Sequence, residues 1–325
     1  MPPFAPTPSA EPFKPGQVEI TEIPPLNPGE QSLLDFHSVI NVLNVLRCEI
    51  MVLGDLIANN TDLLAKGMQL CEEMLGQMKD HDATLRHAAQ IDDFERKVME
   101  EIHHQLATAK PDPIQLAESL ANMESVFAIL KLRAREILAR AASPSRWERF
   151  EVTFLHASLH QMFVAFEKNS KGRFRILTNA ARQTPSDYYI DLKFETAGRS
   201  VYIPPIFIDV MRDLIANARK YTPPGGEITA ALYQDADGTK FLIKDTGRGI
   251  PPAEIEQVVH FGKRASNVST VRTLGGGFGL TKAFLVTKQF GGRFWIGSEL
   301  GRGTSISIWL PPVSPDQRET QLPFV

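Results

Sequence analysis

Apolar residues recur every three to four positions between residues 29 and 170, where glycine is scarce. This spacing is typical of amphipathic helices. It predicts helices at about 31–53, 60–104, 114–141 and 146–168, with proline-containing breaks at Lys110–Pro113 and Ser143–Ser145. Residues 1–28 are crowded with proline and show little periodicity, so they are predicted to form a disordered or extended leader.

From residue 171 the pattern changes to the two-residue period of strands. Alternating segments predict strands at about 188–194, 227–233, 240–245 and 304–310, and helical patterns fit 205–221 and 279–290. Since strands and helices mix without strict alternation, residues 171–313 are predicted to form an α/β sandwich with helices on one face of a mixed sheet. The predicted fold class is therefore α+β, with an all-α bundle at 29–170 and a tail at 314–325.

The chain of 325 residues is long enough for two domains, and its net charge of −3 leaves no basic excess. That balance argues against partners such as nucleic acid or an anionic membrane surface. No apolar stretch approaches the length of a membrane span, and the N-terminus lacks the pattern of a secretory signal. Cys48 and Cys71 have no metal-type spacing and are predicted to be reduced thiols of a cytoplasmic protein.

Four polar residues form one stripe of the helix predicted at 205–221. They are Asp213, Asn217, Lys220 and Tyr221. An amide oxygen suits Mg²⁺, an ammonium group suits a phosphate, and a phenol ring can pack near a base. The stripe is therefore a candidate metal–phosphate site with Asn217 as the metal ligand, and the competing interpretation is a solvated helix face.

Asp245 ends a predicted strand and enters a turn that contains Gly247 and Gly249. Its carboxylate can accept a hydrogen bond from an adenine amino group, and the glycines let the backbone approach a purine. The same pattern is also a common turn. A second glycine turn, Gly301–Gly303, precedes Thr304 at the start of the last strand, and a structural hairpin explains it about as well.

A glycine-rich run opens the helix predicted at 279–290, where exposed backbone N–H groups suit a triphosphate. The candidate ligand-binding residues of this run are Gly275, Gly277, Phe278, Gly279 and Leu280. A polar segment at 262–273 precedes the run and has the composition of a mobile lid. Arg264 or Arg272 of this segment can close on a terminal phosphate, although charges on such a segment are more often solvated.

In order and spacing, these four motifs resemble the ATP-binding domain of sensor histidine kinases, a branch of the gyrase, Hsp90, kinase and MutL (GHKL) superfamily. The resemblance covers roughly 203–311 and implies that the chain binds ATP and Mg²⁺, with Asn217 as the magnesium ligand. It departs at Asp213, where histidine kinases commonly have asparagine. In ATPases of the superfamily an acid at this position activates water, so the role of Asp213 stays open.

The first predicted helix is apolar on most sides and carries a narrow stripe of His37, Asn41, Asn44 and Cys48. Burial on two sides is typical of a helix in a four-helix bundle, and the stripe can face solvent or an approaching domain. The segment Phe36–Leu43 resembles the phosphoacceptor box of histidine kinases, which implies phosphorylation of His37 and a dephosphorylation role for Asn41. Ser38 stands where an acid is usual and Val42 where proline is usual. A histidine with only packing duties is the competing interpretation.

The resemblance implies a soluble ATP-dependent protein histidine kinase of a two-component system. Its catalytic residues would be His37, Asn41, Asn217 and Lys220, its partner a response-regulator receiver domain, and its assembly a homodimer. Three alternatives stay open: a phosphotransfer or phosphatase module that does not phosphorylate itself, a GHKL-type ATPase in which Asp213 activates water, and a GHKL-type serine kinase. Residues 60–170 carry no resemblance, and the helical pair at about 114–168 has no predicted role.

Overall fold

The computed structural model describes residues 16–107, 113–170, 172–178, 184–269 and 277–314. By their contacts these residues form two compact units. The helical unit lies within Pro25–Pro144 and Thr273–Phe278, and the sheet unit lies within Met1–Pro24, Ser145–Arg272 and Gly279–Val325. Among the described residues, no helix has both the length and the apolar character that crossing a bilayer requires.

The described residues of the helical unit form six helices. They are α1 (Pro28–Asp35), α2 (His37–Ala58), α3 (Ala65–Gln77), α4 (His81–Ala89), α5 (Ile91–Leu106) and α6 (Pro113–Ala142). Helix α2 supplies the centre of the core, because Leu43, Leu46, Ile50 and Leu53 recur at helical spacing and are fully buried. Each such side chain contributes about 2 kcal/mol of hydrophobic stabilisation. Helix α6 covers this face of α2 with Phe127 and Leu130.

Two helices predicted as continuous are divided. The helix expected at 31–53 breaks at Phe36, which ends α1 and precedes α2. The region expected at 60–104 is three helices, because the Asp80 carboxylate caps α4 through the backbone N–H of Ala83, 2.9 Å away. Gln90 then ends α4 and precedes α5. The apolar period continues through these breaks, which is why periodicity alone did not detect them.

The described residues of the sheet unit form a seven-stranded mixed sheet. Its strands are β1 (Val18–Ile20), β3 (Ile176–Leu177), β4 (Tyr188–Thr196), β6 (Glu227–Asp235), β7 (Gly238–Asp245), β8 (Arg293–Glu299) and β9 (Gly303–Leu310). Their order across the sheet is β1-β8-β9-β7-β6-β4-β3. The β3–β4 and β4–β6 pairs are parallel, and the other pairs are antiparallel. A separate antiparallel pair joins β2 (Glu148–Glu151) to β5 (Ser200–Ile203).

Three helices share one core with alternate residues of the sheet. They are α7 (Val152–Asn169), α8 (Pro205–Tyr221) and α9 (Gly279–Gln289). Phe241 and Ile243 of β7 lie two residues apart, on the same face of the strand, and pack in the cluster that contains Phe207 and Leu214 of α8. The predicted fold class, an all-α N-terminal region and helices packed on a mixed C-terminal sheet, is confirmed.

The predicted leader and domain boundary need correction. Of the two predicted states, Val18–Ile20 is extended and not disordered, because it pairs with β8 at the edge of the sheet, and Glu19 forms an ion pair with Arg293 at 2.6 Å. Helix α7 was assigned to the helical region ending at residue 170, but Leu159 and Phe163 are buried in the sheet unit. The start of that predicted helix is strand β2. The expectations for residues 1–15 and 315–325 lie outside the described residues.

Candidate nucleotide site

Backbone hydrogen bonds join three of the four sequence motifs. Arg248 N–H donates to the carbonyl of Tyr221 at 3.2 Å, and Gly301 N–H donates to the carbonyl of Arg248 at 2.9 Å. The end of α8, the loop after β7 and the β8–β9 turn therefore meet. We call Tyr221, Asp245–Gly249 and Gly301–Thr304 the loop cluster.

The fourth motif reaches the same helix, α8, through Gly279. A Cβ atom on Gly279 would lie 2.9 Å from Nδ2 of Asn217 and 3.8 Å from Cβ of Asp213. Only glycine permits this approach without a shift of Asn217. The first turn of α9, whose backbone N–H groups have no partner within the helix, thus begins beside Asn217 and Asp213. Arg272 and Gly275 lie outside the described residues.

Asp245 is the buried acid of the loop cluster. Asp245 is only 8% exposed. Its Oδ1 accepts hydrogen bonds from the backbone N–H groups of Gly247 at 2.8 Å and Thr304 at 3.2 Å. Burial raises the pKa of this carboxyl to about 6, against the lowering effect of these two hydrogen bonds. Within the described part of the chain, Oδ2 accepts no hydrogen bond, so this oxygen is available to a ligand donor such as an adenine amino group.

Lys220 is the cation at the end of α8 nearest the loop cluster. Its ammonium lies 5.1 Å from the centre of the Tyr221 ring. Burial lowers the pKa of Lys220, and the positive charges of Arg264 and Arg219 add to this effect, so that the pKa is about 8. These neighbouring positive charges repel one another, and a bound anion relieves the repulsion. A phosphate chain is an anion of this kind.

Part of the expected lid contacts the loop cluster. Asn267 Nδ2 donates to the carbonyl of Gly249 at 2.9 Å. Ser266 donates through its backbone N–H and its hydroxyl to Glu254, at 2.7 and 2.6 Å. The sequence placed Asn267 in the lid by composition but gave no signal for its contact with Gly249.

Lys282 is a residue that sequence reasoning missed. It lies in the first turns of α9, is 2% exposed, and its ammonium is 3.1 Å from Oδ2 of Asp213. The available signal was a lysine inside the otherwise apolar or small run Leu280–Val286. A lysine at a helix position that faces a core requires a buried acidic partner.

His37 begins α2 in the helical unit. Its Nε2 lies 3.1 Å from Nδ2 of Asn41, and its ring meets the Phe278 ring edge-on with centroids 5.4 Å apart. Solvent exposure increases along the stripe that was predicted to face solvent or a domain: His37 is 6% exposed, Asn41 and Asn44 are half-buried, and Cys48 is exposed. Helix α2 is continuous through Val42.

Comparisons with known proteins agree with the position of these motifs. Residues 204–314 match the family described as "Histidine kinase-, DNA gyrase B-, and HSP90-like ATPase". The adaptive-response sensory kinase SasA of Synechococcus elongatus is 38% identical over 103 residues, which are 31% of this chain and 26% of SasA. The sensor protein SrrB of Staphylococcus aureus is 33% identical over 132 residues, 40% of this chain and 23% of SrrB. The chain thus matches about a quarter of the length of these curated relatives.

Among solved structures, the catalytic domain of the histidine kinase ThkA is 19% identical, covering 53% of this chain and 99% of its own, with a TM-score of 0.37. The mycobacterial sensor histidine kinase MprB is 23% identical, covering 50% of this chain and 97% of its own, also with a TM-score of 0.37. The family match at 204–314 encloses all four motifs. Residues 204–314 are therefore similar to the histidine kinase-, DNA gyrase B- and HSP90-like ATPases, and a sensory kinase and a sensor protein are among the proteins that this part of the chain resembles.

Proposed function

We propose that the chain is an ATP-dependent protein histidine kinase of a two-component system. It phosphorylates itself on His37 and passes the phosphoryl group to an aspartate of a response-regulator receiver domain. The observation that carries the proposal is the convergence of the motifs: hydrogen bonds join three of them in the loop cluster, and Gly279 brings the fourth against Asn217. The curated relatives are named as a sensory kinase, SasA, and a sensor protein, SrrB, which supports the same function.

Different residues of the chain bind different parts of the nucleotide. Asp245 accepts a hydrogen bond from the adenine amino group through Oδ2, and the ring of Tyr221 packs near the base. Lys220 and Arg264 stabilise the phosphates, and the first N–H groups of α9 donate to them. Asn217 offers its side-chain oxygen to Mg²⁺, which when bound would neutralise phosphate charge. Asp213 fits this set as the acid beside Asn217.

At His37, the Nε2 lone pair would attack the γ-phosphorus while the bond to the bridging oxygen breaks and ADP leaves with that electron pair. The imidazole then loses the proton on Nδ1. Asn41 contacts this same Nε2 at 3.1 Å, so its amide is placed to orient the ring before transfer. Its position in the phosphoacceptor box also supports a role in dephosphorylating the response regulator. Ser38 offers no carboxylate for the proton, which predicts slow autophosphorylation.

Replacement of His37 by glutamine should remove essentially all acid-labile label after incubation with γ-labelled ATP and Mg²⁺, because the attacking nitrogen is lost. The measurement is label retained on the protein after alkaline and after acid washing. The matched control is His104→Gln, since His104 is an exposed histidine of α5. Unchanged label in His37→Gln would refute the assignment of the acceptor.

A second candidate function is favoured by specific observations. Ser38 and the burial of His37, which is 6% exposed, suit a phosphotransfer or phosphatase module that binds ATP without phosphorylating itself. Such a module would bind ATP and show no label on any histidine. The labelling experiment with the wild-type chain therefore separates the two candidates.

We expect ATP affinity to fall about tenfold as the pH rises through 8, because Lys220 loses its proton there and with it a charged donor to phosphate. Below this pH the ammonium is present and the contribution is complete. Calorimetric titration between pH 7 and 9.5 at constant ionic strength measures the effect. The arginine of Lys220→Arg stays charged over this pH range, so the affinity of that variant for ATP should not change. An equal loss of ATP affinity at high pH in Lys220→Arg would exclude Lys220 as the cause.

A homodimer through the helical unit is part of the proposal. It is supported by large apolar side chains that α2 and α6 leave exposed: Val45, Met51, Val52, Ile129 and Leu132. Exposed apolar groups of this kind mark interaction surfaces when they lie together. Sedimentation equilibrium that finds only the monomer at micromolar concentration would end this part of the proposal.

A further inference from the structure

A buried network of charges connects α8 to α9. The ammonium of Lys282 lies 3.1 Å from Oδ2 of Asp213 and 3.9 Å from Oδ2 of Asp209. Asp209 also contacts Arg212 at 3.3 Å, and Arg212 donates to the hydroxyl of Ser158 on α7. Two carboxylates and two cations thus lie together in this part of the sheet unit.

Lys282 has little contact with solvent, since its side chain is 2% exposed, whereas that of Asp213 is 26% exposed. A buried ammonium is costly unless it is paired, so Lys282 fixes the position of its partners. Asp213 is therefore held from its buried side while its outer side remains open. Asp213 also lies near the start of α9, because its Cβ is 3.8 Å from the position of a Cβ on Gly279.

We propose that Lys282 is a positioning residue that decides the fate of bound ATP: it holds Asp213 in an ion pair and keeps that carboxylate from activating water. The inference rests on the proposed nucleotide site but not on the identity of the phosphoacceptor. It deepens the proposed function, because a slow kinase keeps its ATP only if hydrolysis is slower still. It also assigns a role to the acid that stands where asparagine is common.

The suppressed reaction is hydrolysis of the γ-phosphoryl group. A water oxygen would form a bond to the γ-phosphorus while the bond to the bridging oxygen breaks, ADP would leave with that electron pair, and the water proton would pass to Asp213. With Oδ2 accepting from Lys282, the carboxylate is turned towards the buried ammonium and its electron pair on this oxygen is engaged. A base must lie within hydrogen-bond reach of the proton that it takes, so this fixed orientation opposes catalysis.

The test compares phosphate release and ATP affinity in the wild-type chain and four variants, with Mg²⁺-ATP. Lys282→Met frees Asp213, and we expect phosphate release to rise by roughly tenfold to a hundredfold, the range of general-base catalysis. In Lys282→Met/Asp213→Asn the rate should return to that of the wild type. Lys282→Arg keeps the ion pair and should behave like the wild type.

The fourth variant, Asp209→Asn/Lys282→Met, addresses folding, because it removes one carboxylate together with the lysine and so leaves the net charge of the network unchanged. We expect it to release phosphate at the raised rate even if Lys282→Met alone does not fold. A rate at or below that of the wild type in the folded Asp209→Asn/Lys282→Met variant, with ATP bound, overturns the proposal and leaves Lys282 a purely structural residue. A raised rate that persists in Lys282→Met/Asp213→Asn overturns it as well.

These outcomes are separable from failure of the proposed function. If the wild type binds ATP but His37 takes no label, the kinase assignment falls while the comparison of phosphate release still decides the role of Lys282. If the wild type binds no ATP, both proposals fall together.

Discussion

Replacement of Asp245 by asparagine should weaken ATP binding by roughly a hundredfold and leave the fold intact. The new amide can still accept from Gly247 and Thr304 through its oxygen. Its NH₂ group then stands where Oδ2 stood and faces the adenine amino group, donor against donor. Isothermal titration with Mg²⁺-ATP at pH 7.5 measures the loss.

The same substitution should not lower the free energy of unfolding at pH 7.5. The pKa of Asp245 is about 6 in the folded chain, above the value of about 3.9 for an unfolded aspartate, so the folded state binds the proton more tightly. This carboxyl therefore destabilises the fold as the pH rises from about 4 to 6, and its cost of about 3 kcal/mol at most is complete above that window. Asparagine carries no such cost.

The matched control is Asp237→Asn, an equal change of charge at an exposed position in the β6–β7 turn. It should leave both ATP affinity and stability unchanged. Wild-type affinity in Asp245→Asn would show that the loop cluster does not receive the adenine.

Replacement of Gly303 by alanine should lower the free energy of unfolding of the sheet unit by roughly 3 kcal/mol or more. Gly303 has φ of +115°, a backbone conformation that side chains rarely permit. A Cβ there would also lie 1.9 Å from the carbonyl oxygen of Asp245. The turn that supports Asp245 must therefore move, and ATP binding should be lost with it.

Urea unfolding followed by tryptophan fluorescence suits this test, because the three tryptophans, Trp147, Trp295 and Trp309, all lie in the sheet unit. Gly198→Ala is the matched control: a Cβ on Gly198 meets no atom within 4 Å, so its effect should stay within about 0.5 kcal/mol. Equal midpoints for Gly303→Ala and the wild type would contradict the geometry of the turn.

Local sequence signals were enough to predict the helices and strands whose ends are marked by nearby residues in the sequence. Helix α8 matches its predicted bounds of 205–221 because Pro205 suits the first helical position and Pro223 follows the end. Strand β1 was missed because three residues give no period, and only the pairing with β8 makes them a strand. Helix α7 was recognised as a helix but assigned to the wrong unit, since an apolar face does not state which partner covers it.

The residues of the candidate site were likewise predictable from the sequence only in part. Asn217, Lys220 and Asp245 were predicted because their residue types match the chemistry of a magnesium nucleotide. The pair of Lys282 and Asp213 joins residues 69 positions apart, so it depends on how α9 packs against α8 and left little trace in the sequence. The pKa values of Asp245 and Lys220 depend likewise on burial, which only the folded chain defines.

The claim on which the account depends is that the loop cluster and Asn217 bind ATP with magnesium. Calorimetric titration of the full chain with ATP, once with Mg²⁺ and once with a chelator, tests it most directly. The account predicts saturable heat with one ATP per chain and an affinity at least about tenfold lower without the metal. Absence of heat under both conditions would contradict it.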